Sequence, residues 1–209
     1  MARVQPSYRE TLPVALPLSG RNVLVIGGDE EACDKIEKLL CAGAHVTVVA
    51  QSVLVPLAQL AHRRLLTWYA RTFTDSDLHG VHLVMLTAQD SLLAQRLIAL
   101  KRTYPFWLCA IDQPDHSDIY LVSIVRRGPL QIGISTGGGA PLLARRVRQA
   151  LEAAFDQGFA DFAGRLASLR GALRSLPKEQ RKQQLTEALS GFAMDVQVRY
   201  PDVEDGPPE

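Results

Sequence analysis

The sequence predicts an α/β chain, a doubly wound parallel sheet followed by a small hairpin-plus-helices region and a C-terminal helical region. Three observations carry that expectation. Short apolar runs recur through the first 111 residues, with helical patterns between several of them. A glycine turn joins the first run to the first helical pattern. From residue 118 onward the alternation stops, and two strand-like runs without an intervening helix lead into helices alone.

Taken in order, residues 22–26, 45–49, 65–69, 83–87 and 107–111 read as buried strands, because most are dense in valine, leucine or isoleucine. After the first of them, Ala32, Ile36, Leu39, Leu40 and Gly43 recur at helical spacing while Asp34, Lys35, Glu37 and Lys38 face outward. Gly43 supplies the stop. Residues 91–102 repeat the arrangement. In such a sheet the ligand crevice opens at the carboxyl ends of the strands. Residues 118–136 read as two strands turning at Gly128 and Pro129. Helices follow, one opened by Ala140 and Pro141, one over 159–176, and a third over 179–192 after Pro177. These boundaries predict a Rossmann-like nucleotide-binding domain over 1–113, a hairpin-and-helix dimerisation and substrate region over 114–155, a helical domain over 156–200 and a disordered tail over 201–209.

Composition bounds the function. With 47% hydrophobic and 22% charged residues the chain has the balance of a globular protein, and its net charge of +1 argues against general nucleic-acid or membrane-surface binding. No run approaches the roughly 18 apolar residues of a membrane span. Three cysteines without CxxC spacing suggest reduced thiols, so the expected compartment is the cytoplasm.

The glycine turn has the order G-x-D-x-x-A from Gly27 to Ala32, against the dinucleotide pattern G-x-G-x-x-G/A. Two roles fit Asp29. Its carboxylate caps the helix, worth roughly 1 kcal/mol, yet the amides it would cap are those a pyrophosphate needs. Two unit charges about 4 Å apart repel by about 4 kcal/mol at an effective dielectric near 20, so Asp29 either closes the site to phosphate or swings aside. The acid expected about 20 residues on, for a ribose hydroxyl, is missing from "VVAQS". Asp112 falls at the carboxyl end of the fifth run, where either a crevice base or a turn-starting carboxylate before Pro114 is at home. His116 is either an exposed loop residue or a functional group, a proton carrier or a metal ligand. In "ISTGGGAPLLARRVRQ", Ser135, Thr136 and the glycines suit either a carboxylate-binding turn or a flexible hinge. Eleven Lys or Arg stand against four Asp or Glu between Arg126 and Lys182, which suits a polyanionic small molecule or merely solvated helix faces. No paired-histidine or similar metal-ligand spacing occurs.

The order "LPVALPLSGRNVLVIGG", "AGAHVTVVA", "CAID", "RRGPLQIGISTGGGAPLLARRVR" resembles the precorrin-2 dehydrogenase and sirohydrochlorin ferrochelatase family, including the amino-terminal part of siroheme synthase. The "ISTGGGAPLLAR" segment is its most specific part. The resemblance implies NAD-dependent oxidation of precorrin-2 to sirohydrochlorin in a homodimer formed through the later regions, and in bifunctional members insertion of Fe2+ as substrate metal. It implies that Asp112 is the catalytic base and that Ser135, Thr136 and Gly137 lie on the tetrapyrrole side. Glu30, Glu31, Gln51 and Ser52 fall where the family contacts NAD, and Gly27, Gly28 and Asp29 occupy its three-glycine turn. The departures cluster there: Asp29 replaces the third glycine, Ala88 a usual threonine, and Cys109 a usual asparagine. Three activities follow as alternatives: a dehydrogenase, a chelatase alone, or a non-catalytic tetrapyrrole-binding subunit with a degenerate NAD site.

Overall fold

A computed structural model describes residues 11–199, so the expected tail over 201–209 lies outside the described residues. The chain divides into two compact units, at Val122 and Ser123.

The first unit is built on five parallel strands, β1 (Asn22–Ile26), β2 (His45–Val49), β3 (Thr67–Tyr69), β4 (Leu83–Leu86) and β5 (Trp107–Ala110), in the order β3-β2-β1-β4-β5. β1 is central, pairing with β2 on one side and β4 on the other, so the winding reverses between β1 and β4 and leaves a crevice there. Burial on both faces explains why these strands read as continuous apolar runs. Val23 and Val25 point into one layer with Met85, Cys109 and the helices α1 (Glu30–Cys41) and α2 (Val55–His62), through Ala32, Ile36, Leu39 and Leu57. Leu24 and Ile26 point into the other, with Val84, Leu86 and α3 (Ser91–Leu100), through Ala94 and Leu97. Truncating a side chain as enclosed as Leu24, which is 0% exposed, costs about 2–5 kcal/mol.

Local chemistry sets the ends. α1 stops because Gly43, at φ 77, donates to the Leu40 carbonyl while the Ala44 amide reaches back to Leu39, the paired bonds of a Schellman cap. β3 begins two residues later than the apolar run suggests. Arg64 takes a φ of 58 and the Leu65 amide bonds the Leu60 carbonyl, so the first leucines close α2 instead of joining the sheet. α2 carries Pro56 in its first turn and lacks a side-chain cap.

The second unit opens with the antiparallel hairpin β6 (Ser123–Arg127) and β7 (Leu130–Ile134). Gly128 takes the first of its two loop positions with a φ of 55, the place where a two-residue hairpin favours glycine. α4 (Pro141–Ala154), α5 (Gln157–Ala172) and α6 (Lys178–Ala188) follow. Arg127 ties the hairpin to the end of α4, donating to the Glu152 and Phe155 carbonyls at 2.8 and 2.5 Å. Asp156 caps α5 through the Phe159 amide.

Candidate nucleotide cleft and the Asp112 turn

A cleft of about 620 Å³ opens at the carboxyl ends of β1, β2 and β4. Its volume lies in the range of small-molecule and cofactor sites. Gly27, Gln51 and Ala88 line it together with Asp90, Arg71 and Arg96. Three of the residues expected to meet a nucleotide, drawn from three separate strand ends, thus converge on one concavity.

Gly28 and Ser52 meet beside it. A Cβ on Gly28 would stand 2.5 Å from the Ser52 carbonyl oxygen and 2.7 Å from a Val53 methyl. The Leu54 amide donates to the Gly28 carbonyl at 3.0 Å. Gly27, at φ 132, faces the other way, where a Cβ would lie 2.0 Å from the Thr87 hydroxyl. Both glycines are therefore fixed by neighbouring chain: the turn after β1 is wedged between the loops after β2 and β4.

Asp29 is the N-cap of α1, its Oδ1 accepting from the Ala32 amide at 2.9 Å. Glu30 and Glu31 complete an acidic first turn. The cap occupies one of the four free amides of the helix and leaves those of the first two turn residues for another acceptor. The residues present fit a dinucleotide in place and size, against Asp90 in the cleft lining and the acidic turn of Asp29, Glu30 and Glu31 beside it.

Arg71 and Arg96, which the sequence reading did not single out, also line the cleft, each paired with a carboxylate. Arg71 grips Asp77 through two bonds of 2.8 and 2.5 Å and lies over the Tyr69 ring, 5.1 Å from its centroid. The Arg71 guanidinium, reinforced by the Thr74 amide and hydroxyl, holds the Asp77 carboxyl below its usual range against the opposing effect of burial. Arg96 bonds Asp75 at 2.6 Å and sits over Phe73.

Asp112 lies one residue past Ile111, whose amide still bonds the Leu86 carbonyl of β4 at 2.9 Å. Its backbone is left-handed, with φ at 57, which few residues other than glycine adopt without strain of about 1–3 kcal/mol. Its side chain is exposed. A short 3-10 helix (Pro114–His116) follows, with His116 half-buried. Cys109 points away from this surface: only 2% exposed, it packs in the core layer with Met85, and burial pushes its thiol up to about 11.

Ser135, Thr136 and Gly137 belong to the second unit. Their turn is hydrogen-bonded: the Ser135 and Thr136 hydroxyls accept from the Gly137 and Ala140 amides, each at 3.2 Å, and the Gly139 amide bonds the Thr136 carbonyl. Gly137 takes a φ of 61. Among the described residues no cluster of three His, Cys, Asp or Glu suits a metal ion, and no helix is long and apolar enough to cross a membrane.

Residues 14–123 match the family model described as putative NAD(P)-binding, and residues 127–154 the one described as sirohaem biosynthesis protein central. The siroheme synthase of Neisseria meningitidis serogroup C is 34% identical over 163 residues, 78% of this chain and 34% of the relative. Siroheme synthase 1 of Klebsiella pneumoniae is 41% identical over 142 residues, 68% of this chain and 30% of the relative. The chain thus spans about a third of the length of the curated relatives it matches. Among solved structures, SirC, a precorrin-2 dehydrogenase, superposes with a TM-score of 0.73 at 26% identity, covering 85% of this chain and 88% of that one.

Proposed function

Because the chain belongs to the putative NAD(P)-binding family, with a sirohaem-biosynthesis central region behind it, we propose that it is an NAD-dependent precorrin-2 dehydrogenase forming sirohydrochlorin. The observation that carries this reading is the likeness to a precorrin-2 dehydrogenase along nearly the full length of both chains.

The nucleotide supplies a hydride acceptor when bound. The protein's own residues do the rest. Gly27, Gln51 and Ala88 line the cleft that receives it, and the free amides at the start of α1, near Gly28, Asp29, Glu30 and Glu31, favour its phosphates. Ser52 backs the turn against Gly28. Oxidation removes a hydride and a proton from adjacent positions of precorrin-2 and leaves a new double bond. Asp112, an exposed carboxylate just past the carboxyl end of β5, takes the proton and passes it to water. Ser135 and Thr136 use their oxygens as acceptors within the turn, which leaves their hydroxyl hydrogens for carboxylates of the tetrapyrrole. Gly137, left-handed, lets the backbone approach the same groups.

The assembly in this reading is a homodimer through the second unit, where Leu142, Leu143 and Val147 of α4 are 76%, 57% and 38% exposed. Sedimentation equilibrium should give twice the chain mass, with Leu142→Glu shifting it to monomer. Three free thiols suit a reducing cytoplasm.

The Asp29 carboxylate favours a second reading. In it the nucleotide site is closed, Fe2+ is a substrate, and Asp112 takes pyrrole protons during its insertion into sirohydrochlorin. Anaerobic incubation with precorrin-2, with and without NAD, separates the two. The dehydrogenase forms sirohydrochlorin only with NAD and loses that activity in Asp112→Asn. A chain that forms none with NAD, yet inserts iron without it, is a chelatase.

A further inference from the structure

Asp112 is held in its left-handed turn by the next residue. The Gln113 amide bonds the Ala110 carbonyl at 3.2 Å, and its carbonyl accepts from the His116 amide at 3.0 Å and the Ser117 hydroxyl at 3.1 Å. Its side chain leaves this turn altogether: Nε2 reaches the Ala88 carbonyl at 3.3 Å, on the loop after β4 that lines the cleft. The Ser117 hydroxyl also accepts from the Ala110 amide, and its one hydrogen is shared between the Gln113 carbonyl and the Ala110 carbonyl at 3.0 Å, so the turn is anchored to β5 as well. Gln113 Oε1 is fully enclosed and meets no donor among the described residues.

A strained backbone at Asp112 and an unmatched buried acceptor at Gln113 are both unfavourable, and they are consecutive. An arrangement kept for stability alone would use glycine at 112 and an apolar side chain at 113. We propose that Gln113 is a positioning residue, which ties the Asp112 turn to the nucleotide-side loop at Ala88 and thereby fixes the carboxylate relative to the cleft. The inference rests on the reading of Asp112 as the base. It adds a residue that touches neither substrate nor cofactor.

Gln113→Met keeps the length and removes both polar atoms. The variant should melt at the wild-type temperature or above and bind NAD within about twofold of wild type. Its kcat for precorrin-2 oxidation should fall by roughly ten- to a hundredfold, the size expected when a reacting group is misplaced by about 1 Å. Amide hydrogen exchange over 111–117 should quicken with exchange elsewhere unchanged. Gln113→Glu, unable to donate to the Ala88 carbonyl when ionised, should lose kcat in the same way. Wild-type kcat in both variants, or a kcat that falls only in step with melting temperature, overturns the proposal. So does unchanged exchange over 111–117, whatever the activity. Wild-type protein that turns over no precorrin-2, beside a variant with quickened exchange, instead removes the dehydrogenase reading and leaves the tether standing.

Discussion

The Asp29 carboxylate accepts from the Ala32 amide at 2.9 Å, at the helix N-terminus where the proposed function puts a pyrophosphate. Capping favours the carboxylate by roughly 1 kcal/mol, whereas a nearby phosphate is repelled by up to about 4 kcal/mol, so charge outweighs the cap once nucleotide arrives. Asn keeps the acceptor and drops the charge. Asp29→Asn should therefore tighten NAD binding by at least about tenfold with no loss in melting temperature, and calorimetric titration of both proteins measures it. An equal Kd would mean that the side chain already swings clear. The thiols offer a second comparison. Cys41 is exposed, whereas Cys109 is buried with its thiol raised to about 11 by desolvation. At pH 8 a thiol reagent should label Cys41 in the native protein and reach Cys109 only after denaturation. The resemblance counts Cys109 among the departures that cluster around the nucleotide; its side chain lies in the core, because odd and even residues of β5 serve opposite layers.

The turn after β1 was readable as a glycine turn, but not for its reason. The pattern suggests room for phosphate; the structure gives Gly27 to the Thr87 hydroxyl and Gly28 to the Ser52 carbonyl. Gly27→Ala should lower stability by about 1–3 kcal/mol or more in urea, and pairing it with Thr87→Ala should recover only the steric share, since the φ of 132 remains. The Arg71–Asp77 clamp on the cleft wall predicts a pH effect. Asp77 has a depressed folded value, so its stabilisation is complete above the unfolded carboxyl value near 4 and is lost as pH falls through the folded one. The stability gap between wild type and Asp77→Asn should stay constant above about pH 5 and shrink below about pH 4. α2 escaped the sequence reading because "VPLAQLAH" is short, apolar on most sides and opened by proline, which leaves no 3.6-residue stripe to see.

For the molecule as a whole, the parallel sheet was readable because burial on both faces writes apolar runs into the chain, and the hairpin because Gly128 and Pro129 mark its turn. The basic excess after Arg126 was less informative than its count suggests: Arg127 holds the end of α4, and Arg148 pairs with Glu152 four residues on at 2.7 Å. Nor could the sequence reveal Arg71 and Arg96 as cleft residues, since an arginine between strands looks the same whether it faces solvent or a crevice. Convergence of Gly27, Gln51 and Ala88 needed the strand order, because the reversal between β1 and β4 brings their ends together. The deciding measurement follows NADH and sirohydrochlorin together in one anaerobic mixture of protein, precorrin-2 and NAD. A dehydrogenase predicts that the two rise in equal amounts and that neither rises without the other. Sirohydrochlorin forming without NADH, or no product beside an active relative under the same conditions, would contradict it.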